Sequence, residues 1–215
     1  MKIAPQAWRF VVPAVALGAA GLWLMGSRQT FPAGVLLAIL GLDFAAFTVF
    51  FFRDPERPMP AGGSKIFSPA DGVVLSVARE GPGPETTLRV FLSIFDVHIQ
   101  RAPCAGTVTD VRVVEGSFAA AMKAEAKANA RVILTLRPEG GRGALVVEQI
   151  AGLIARRIEC WSKPGEALAA GQRYGLIYFG SQAAVHFPAD AKCTVQPGAR
   201  VAAGLTEIGE WTSKS

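Results

Sequence analysis

Three short phrases carry side chains that together make a nucleophile, a base and a carboxylate. They are Phe67-Ser68-Pro69-Ala70-Asp71-Gly72, Phe95-Asp96-Val97-His98-Ile99-Gln100-Arg101-Ala102-Pro103, and Gly180-Ser181 at the end of Tyr174–Phe179. A serine hydroxyl is a weak nucleophile at neutral pH. It reacts when an imidazole takes its proton and a carboxylate holds that imidazole in the right tautomer. Asp71, His98 and Ser181 are the parts of such a set. Each also has a plainer reading: an Asp-Gly turn, a histidine satisfied within a strand, a Gly-Ser turn. Spacing alone leaves their meeting open. There is no G-x-S-x-G elbow, which argues against an α/β-hydrolase. The two histidines, His98 and His186, and the cysteines Cys104, Cys160 and Cys193, which form no CxxC, give no metal-ligand pattern. The cysteines read as reduced, mostly buried small residues, and His186 as a structural residue on the strand after Ser181.

The elements that must position these groups follow from hydrophobic patterning. Residues 10–25 and 31–52 are almost uniformly apolar, separated by the polar turn Ser27-Arg28-Gln29-Thr30. A bilayer core of ~30 Å needs ~20 residues, which the second stretch supplies and the first approaches. No cleavage site with a polar mature sequence follows the first, so a helical hairpin is expected rather than a signal peptide. Asp43 should then face the other helix or the interface. Lys2 and Arg9 on one side, and Arg53 and Arg57 beyond the second helix, place both ends of the hairpin in the cytoplasm. Arg53–Pro60 reads as a linker, dividing the chain into a membrane-associated hairpin, 1–60, and a β domain, 61–215.

From Ile66 onward, short β-type runs alternate with Gly/Pro turns. They are Gly72–Val77, Leu88–Leu92, Gly106–Val114, Ala130–Leu136 and Ala144–Ile150. The expected class is mainly β, a sandwich or hybrid-barrel-like domain behind an N-terminal hydrophobic helical hairpin. Phe118–Asn129, rich in Ala, Lys and Glu, is the one internal helix candidate, and reads equally as a flexible loop. Pro164–Gly171 and Gln196–Gly204 share the phrase P-G-x-x-(L/V)-x-A-G, which points to an internal duplication. Net charge is +5 with no Lys/Arg-rich run. This favours an anionic membrane surface over nucleic acid.

In order, the chain presents the hairpin, Phe52-Arg53-Asp54-Pro55-Glu56-Arg57, Phe67–Gly72, then F-D-V-H-x-x-R-A-P-x-x-G over Phe95–Gly106, then Tyr174–Ser181. It resembles the short, bacterial and archaeal type of phosphatidylserine decarboxylase proenzyme over nearly its whole length. It departs from the family's Gly-Ser-Thr cleavage motif in having Gln182 after Ser181. The resemblance implies self-cleavage between Gly180 and Ser181, with Ser181 as nucleophile, His98 as its base and Asp71 orienting His98. It implies that Ser181 becomes a covalent pyruvoyl group, which forms a Schiff base with the substrate amine. The products are a β-chain of residues 1–180 and an α-chain of residues 181–215. The implied substrate is phosphatidylserine in an anionic membrane, the implied assembly a homodimer, and the implied place the cytoplasmic side of the cell membrane. Arg53, Arg57 and Arg101 are possible phosphate contacts by charge. Two alternatives stand beside this. One is a membrane-anchored serine hydrolase or peptidase using Ser181, His98 and Asp71 on an external substrate. The other is a non-enzymatic β module on a membrane anchor.

Overall fold

The computed structural model describes residues 2–60, 63–80, 85–119, 126, 128–154 and 157–212. The chain divides into two units, Met1–Glu56 and Arg57–Ser215.

The first unit is a helical hairpin. A 3₁₀ turn, Pro5–Ala7, leads into α1 (Trp8–Leu24), and α2 spans Phe31–Phe51. Pro32 sits in the first turn of α2, where its missing N–H costs nothing. Thr30 Oγ1 donates to Leu24 O at 2.6 Å and closes the connection. Small residues line the seam: Ala14, Gly18 and Gly21 on α1 meet Gly34, Ala38, Gly41 and Ala45 on α2. A Cβ added at Gly21 or Gly41 would run into the backbone of the opposite helix, so glycine is what lets the two axes come this close. The remaining faces are exposed and apolar, and both helices are long and apolar enough to cross a membrane. Asp43 does not face α1. It lies on the exposed side of α2, because the seam is already filled by the small residues on the other side. The strands β1 (Lys2–Ile3) and β2 (Arg53–Asp54) pair antiparallel and join the two ends of the hairpin.

The second unit is built from β3 (Lys65–Phe67), β4 (Gly72–Arg79), β5 (Thr86–Leu92), β6 (Ile99–Arg101), β7 (Gly106–Val114), β8 (Arg131–Arg137), β9 (Leu145–Ile150), β10 (Ile158–Cys160), β11 (Ala167–Leu168), β12 (Arg173–Ile177), β13 (Ser181–Phe187), β14 (Ala191–Cys193), β15 (Arg200–Val201) and β16 (Glu207–Trp211). Eight of them form one sheet in the order β11-β7-β8-β9-β13-β5-β4-β15. Two three-stranded sheets, β10-β12-β6 and β14-β16-β3, accompany it, and all pairings between these strands are antiparallel. The large sheet alternates faces as pleating requires. Leu88, Val90 and Leu92 of β5, Ala183, Val185 and Phe187 of β13, and Leu134 and Leu136 of β8 point into one core. Ile66, Tyr174, Ile208 and Trp211 from the small sheets close over it. The protein is therefore mainly β behind two helices, the class its patterning leads one to expect.

The P-G phrases mark a real duplication of backbone. Gly165 and Gly198 have φ of 90° and 87°, and Gly171 and Gly204 have 76° and 69°. Each phrase contains an edge strand of the large sheet, β11 beside β7 and β15 beside β4. The turns before β4 and β7 bond to each other reciprocally: Phe67 N–H donates to Pro103 O at 2.8 Å, and Arg101 N–H to Pro69 O at 2.9 Å. Cys160 and Cys193 occupy matching places in the small sheets, each thiol facing the carbonyl two residues on. Neither forms a disulfide, and burial raises both thiol pKa values. Burial pushes buried Cys104 up to about 12, which makes it unreactive. Asp71 breaks the symmetry, since Ala105 stands at the matching point of the second turn. Most of the helix expected over Phe118–Asn129 lies outside the described residues. Its end is held by buried Asn129, whose side chain bonds Ser117, both backbone groups of Ala119, and Ala151 O.

Candidate active site

Strand β12 ends at Ile177, two residues earlier than the apolar run suggests, and Tyr178, Phe179 and Gly180 turn the chain back into β13. Phe179 has φ 55° and Gly180 φ 74°. Two successive left-handed residues are rare, and for a phenylalanine the conformation costs about 1–2 kcal/mol. Strain is therefore stored immediately before Ser181. A Cβ at Gly180 would meet only Ile94 Cγ2, at an ordinary 3.5 Å, so the backbone angle rather than crowding calls for glycine.

Ser181 is the first residue of β13. It pairs with Leu92 of β5 and is completely buried. Its Oγ has no hydrogen-bond partner. A buried hydroxyl left unbonded costs about 1–3 kcal/mol, so it is not there to stabilise the fold.

His98 precedes β6 and is also fully buried. Ile177 N–H donates to its carbonyl at 3.3 Å, which extends the β6–β12 pairing to the edge of the turn. Its ring is held from both ends. Nδ1 lies 3.0 Å from Asp96 O, and Gly180 N–H donates to Nε2 at 3.1 Å. A ring nitrogen facing a carbonyl carries the proton, so this is the neutral Nδ1–H tautomer, with its Nε2 lone pair accepting from the N–H of the Phe179–Gly180 peptide, one residue before Ser181. The 93–98 loop is fixed in turn by Asp96. Its Oδ2 accepts from Ser93 N–H at 2.9 Å, and its Oδ1 from Arg200 at 2.9 Å.

Asp71 lies at the same end of the large sheet, in the turn before β4. Its carboxylate is bound by Arg57 through both guanidinium nitrogens, at 2.7 and 2.8 Å, and by Ala203 N–H at 2.8 Å. The bonds that fix the His98 ring thus come from Asp96 O and Gly180 N–H, while those of Asp71 go to Arg57 and Ala203. The turn and the histidine strand are joined through the Arg101 N–H to Pro69 O bond. Arg57 is therefore an ion-pair partner buried against Asp71, with its side chain 10% exposed. Arg101 is buried too, and donates to Gly171 O at 3.0 Å. Neither is laid out for a phosphate at the surface. Arg53 stacks its guanidinium 4.1 Å from the Phe50 ring in the helical unit.

The second histidine serves the sheet. His186 Nδ1 lies 3.0 Å from Thr87 Oγ1, and its Nε2 lies 3.1 Å from a Glu148 carboxylate oxygen. Among the described residues, no group of three His, Cys, Asp or Glu side chains is arranged for a metal. Sequence reading missed Asp96 and Arg200 as supports of His98, because a main-chain acceptor and a partner a hundred residues away leave no local signature.

Residues 44–209 match the family model for phosphatidylserine decarboxylase. The chain is 45% identical to the phosphatidylserine decarboxylase proenzyme of Symbiobacterium thermophilum over 213 residues, covering 96% of this chain and 94% of the relative. It is 42% identical to that of Solibacter usitatus, covering 97% and 96%, and 38% identical to that of Geobacter metallireducens, covering 96% and 95%. With the Gly-Ser turn, the buried histidine and the hairpin in their expected order, the chain belongs to the phosphatidylserine decarboxylase family.

Proposed function

We propose that this chain is a proenzyme that cuts itself between Gly180 and Ser181 and then decarboxylates phosphatidylserine to phosphatidylethanolamine and CO₂. The observation that carries the reading is the strained Phe179-Gly180 turn, with unbonded Ser181 Oγ after it and His98 Nε2 at 3.1 Å from the Gly180 nitrogen.

Cleavage begins as Ser181 Oγ attacks the carbonyl carbon of Gly180, with Nε2 of His98 giving up its bond from Gly180 N–H to take the hydroxyl proton. The acyl group moves from nitrogen to oxygen, and the protonated imidazole returns the proton to the freed amine. The left-handed turn opens as the bond breaks, so its strain assists the step. β-Elimination then releases the 1–180 chain as a carboxylate, and water replaces ammonia on the dehydroalanine left at position 181. Residues 181–215 stay attached, because β13 is hydrogen-bonded to β5 on one side and β9 on the other. Asp71 acts on His98 through its turn: anchored by Arg57 and Ala203, it fixes the Pro69 carbonyl that holds Arg101, three residues beyond the histidine.

The surroundings of position 181 suit a pyruvoyl group. The site is buried, its strand neighbours Ala183 and Ala184 are small, and the orphaned hydroxyl is consumed in making it. Such a group supplies a ketone that takes a primary amine and draws off the electron pair left by CO₂. In this reading His98 also returns a proton to the substrate α-carbon. The hairpin holds the catalytic unit at the cytoplasmic face of the membrane that contains the lipid, by the charge asymmetry of its flanks. The test is a pair of proteins. The parent should release CO₂ from phosphatidylserine dispersions, and Ser181→Ala should remain one chain and release none. A Ser181→Ala protein that still decarboxylates would end this reading.

A further inference from the structure

Two glutamines lie behind the reactive serine with polar atoms that bond to nothing. Gln100 is fully buried, and neither its Nε2 nor its Oε1 has a partner. Gln149 is 1% exposed; its Nε2 donates weakly to Glu159 O at 3.4 Å, and its Oε1 is unpartnered. A buried amide without partners costs stability, so its persistence calls for an explanation.

Strand register brings these groups to one place. Residues two apart on a strand share a face. On the histidine strand, His98 and Gln100 therefore point the same way, and Arg101 points the other way to Gly171 O. On the large sheet, Gln149 of β9 stands directly opposite Ala183 of β13. Ser181 shares the Ala183 face, so it is a diagonal neighbour of Gln149, roughly 7–8 Å away between backbones. Gln100 pairs with Gly175 of β12, and a Cβ built on Gly175 would lie 2.7 Å from Gln149 Nε2. Glycine at 175 thus leaves room for the Gln149 amide beside Gln100. His98 and Gln100 from the small sheet, and Ser181 and Gln149 from the large one, form one buried polar cluster within an otherwise apolar core.

We infer that Gln100 and Gln149 recognise the α-amino-carboxylate end of the substrate headgroup. This rests on the decarboxylase reading and assigns its headgroup subsite. Gln149 Oε1, the unpartnered oxygen on the strand beside β13, accepts from the substrate amine. Gln100 Nε2 donates to the carboxylate, and its Oε1 offers the amine a second acceptor. The choice of neutral amides has a physical reason. A guanidinium would form a tight ion pair with the carboxylate and stabilise a charge that has to leave as CO₂. Such binding favours the ground state over the transition state. An amide selects the carboxylate by hydrogen bonding without that penalty.

The test uses the mature full-length protein and the near-isosteric variants Gln100→Met and Gln149→Met. Two short-chain probes that lack an amine and so cannot react are compared by calorimetry. Dihexanoyl phosphatidyl-3-hydroxypropionate keeps the carboxylate, and dihexanoyl phosphatidylethanol does not. The parent should prefer the carboxylate probe at least tenfold, and Gln100→Met should abolish that preference. Gln149→Met should retain it, yet raise KM for dihexanoyl phosphatidylserine at least tenfold. Both variants should mature into two chains and melt within a few degrees of the parent, since the polar atoms replaced are unmet apart from the long Gln149 Nε2 bond to Glu159 O. An unchanged preference in Gln100→Met would overturn the assignment. So would failure of both variants to fold or mature, which would make the amides structural. A parent that matures but releases no CO₂ would instead refute the decarboxylase reading.

Discussion

The role given to His98 separates two properties that usually fail together. His98→Ala removes the partner of Gly180 N–H and of Asp96 O, both in a fully buried site. Each orphaned group costs about 1–3 kcal/mol, so the loss is roughly 2–6 kcal/mol. In a domain of this size 1 kcal/mol moves Tm by about 2–4 °C, which gives a drop of roughly 4–24 °C. His98→Gln is different. Its amide oxygen can still accept from Gly180 N–H and its NH₂ can face Asp96 O, so most of that loss is avoided. Neither variant retains a group that takes a proton near neutral pH, so self-cleavage should fall by about 10²–10⁴ in both. The reference for stability is Ser181→Ala, which is uncut and breaks no hydrogen bond, because Ser181 Oγ makes none. Cleavage is followed on denaturing gels over hours, and Tm by circular dichroism. His98→Gln should melt within a few degrees of Ser181→Ala, and His98→Ala well below it. If His98→Gln is cut at the parent rate, His98 is not the base. If His98→Ala melts with Ser181→Ala, the two ring hydrogen bonds do not hold the turn.

Three further outcomes follow from the same geometry. Gly180→Ala should fold with a loss of about 1–2 kcal/mol for its φ of 74°, since its Cβ has room, whereas Gly72→Ala should fail to fold because its Cβ would strike the Phe91 carbonyl; soluble yield and Tm compare the two. Asp71→Asn replaces a carboxylate that receives a forked arginine and a backbone N–H. It should cost about 2 kcal/mol in Tm measurements and slow cleavage at least tenfold on gels. Burial alone would raise the Glu148 pKa, but the contact with His186 and the charges of Arg131 and Arg89 outweigh it and hold the pKa below its ordinary value. A depressed carboxylate pKa stabilises the fold above the unfolded value of about 4.3, and that contribution is lost as pH falls through the folded value. Urea midpoints should therefore fall less below pH 4.3 in Glu148→Gln than in the parent.

Much of the β unit was legible in the chain, because period-two alternation marks strands whose one face is buried. Gly106–Val114 reproduces β7 residue for residue, and the other four expected runs overlap β4, β5, β8 and β9. The P-G phrases were legible for another reason: two left-handed glycines at fixed spacing dictate the same turn twice. The end of β12 was not legible, since Tyr178 and Phe179 are as apolar as the strand before them and only the backbone angles reveal the turn. The partners of the candidate residues were hidden as well. Nothing near Asp71 marks Arg57 as its counter-ion, because the pairing depends on how the linker folds back. Nothing near His98 marks a main-chain carbonyl as its support. Gln100 and Gln149 carry no motif, and only strand register brings them beside Ser181.

The most direct test of the central claim is the intact mass of the purified parent protein under denaturing conditions. Two chains are expected, 1–180 and 181–215, with the smaller one lighter by one ammonia than the same peptide beginning with serine, and resistant to amino-terminal sequencing. A single chain of 215 residues, or a small chain beginning with an ordinary serine, would contradict it.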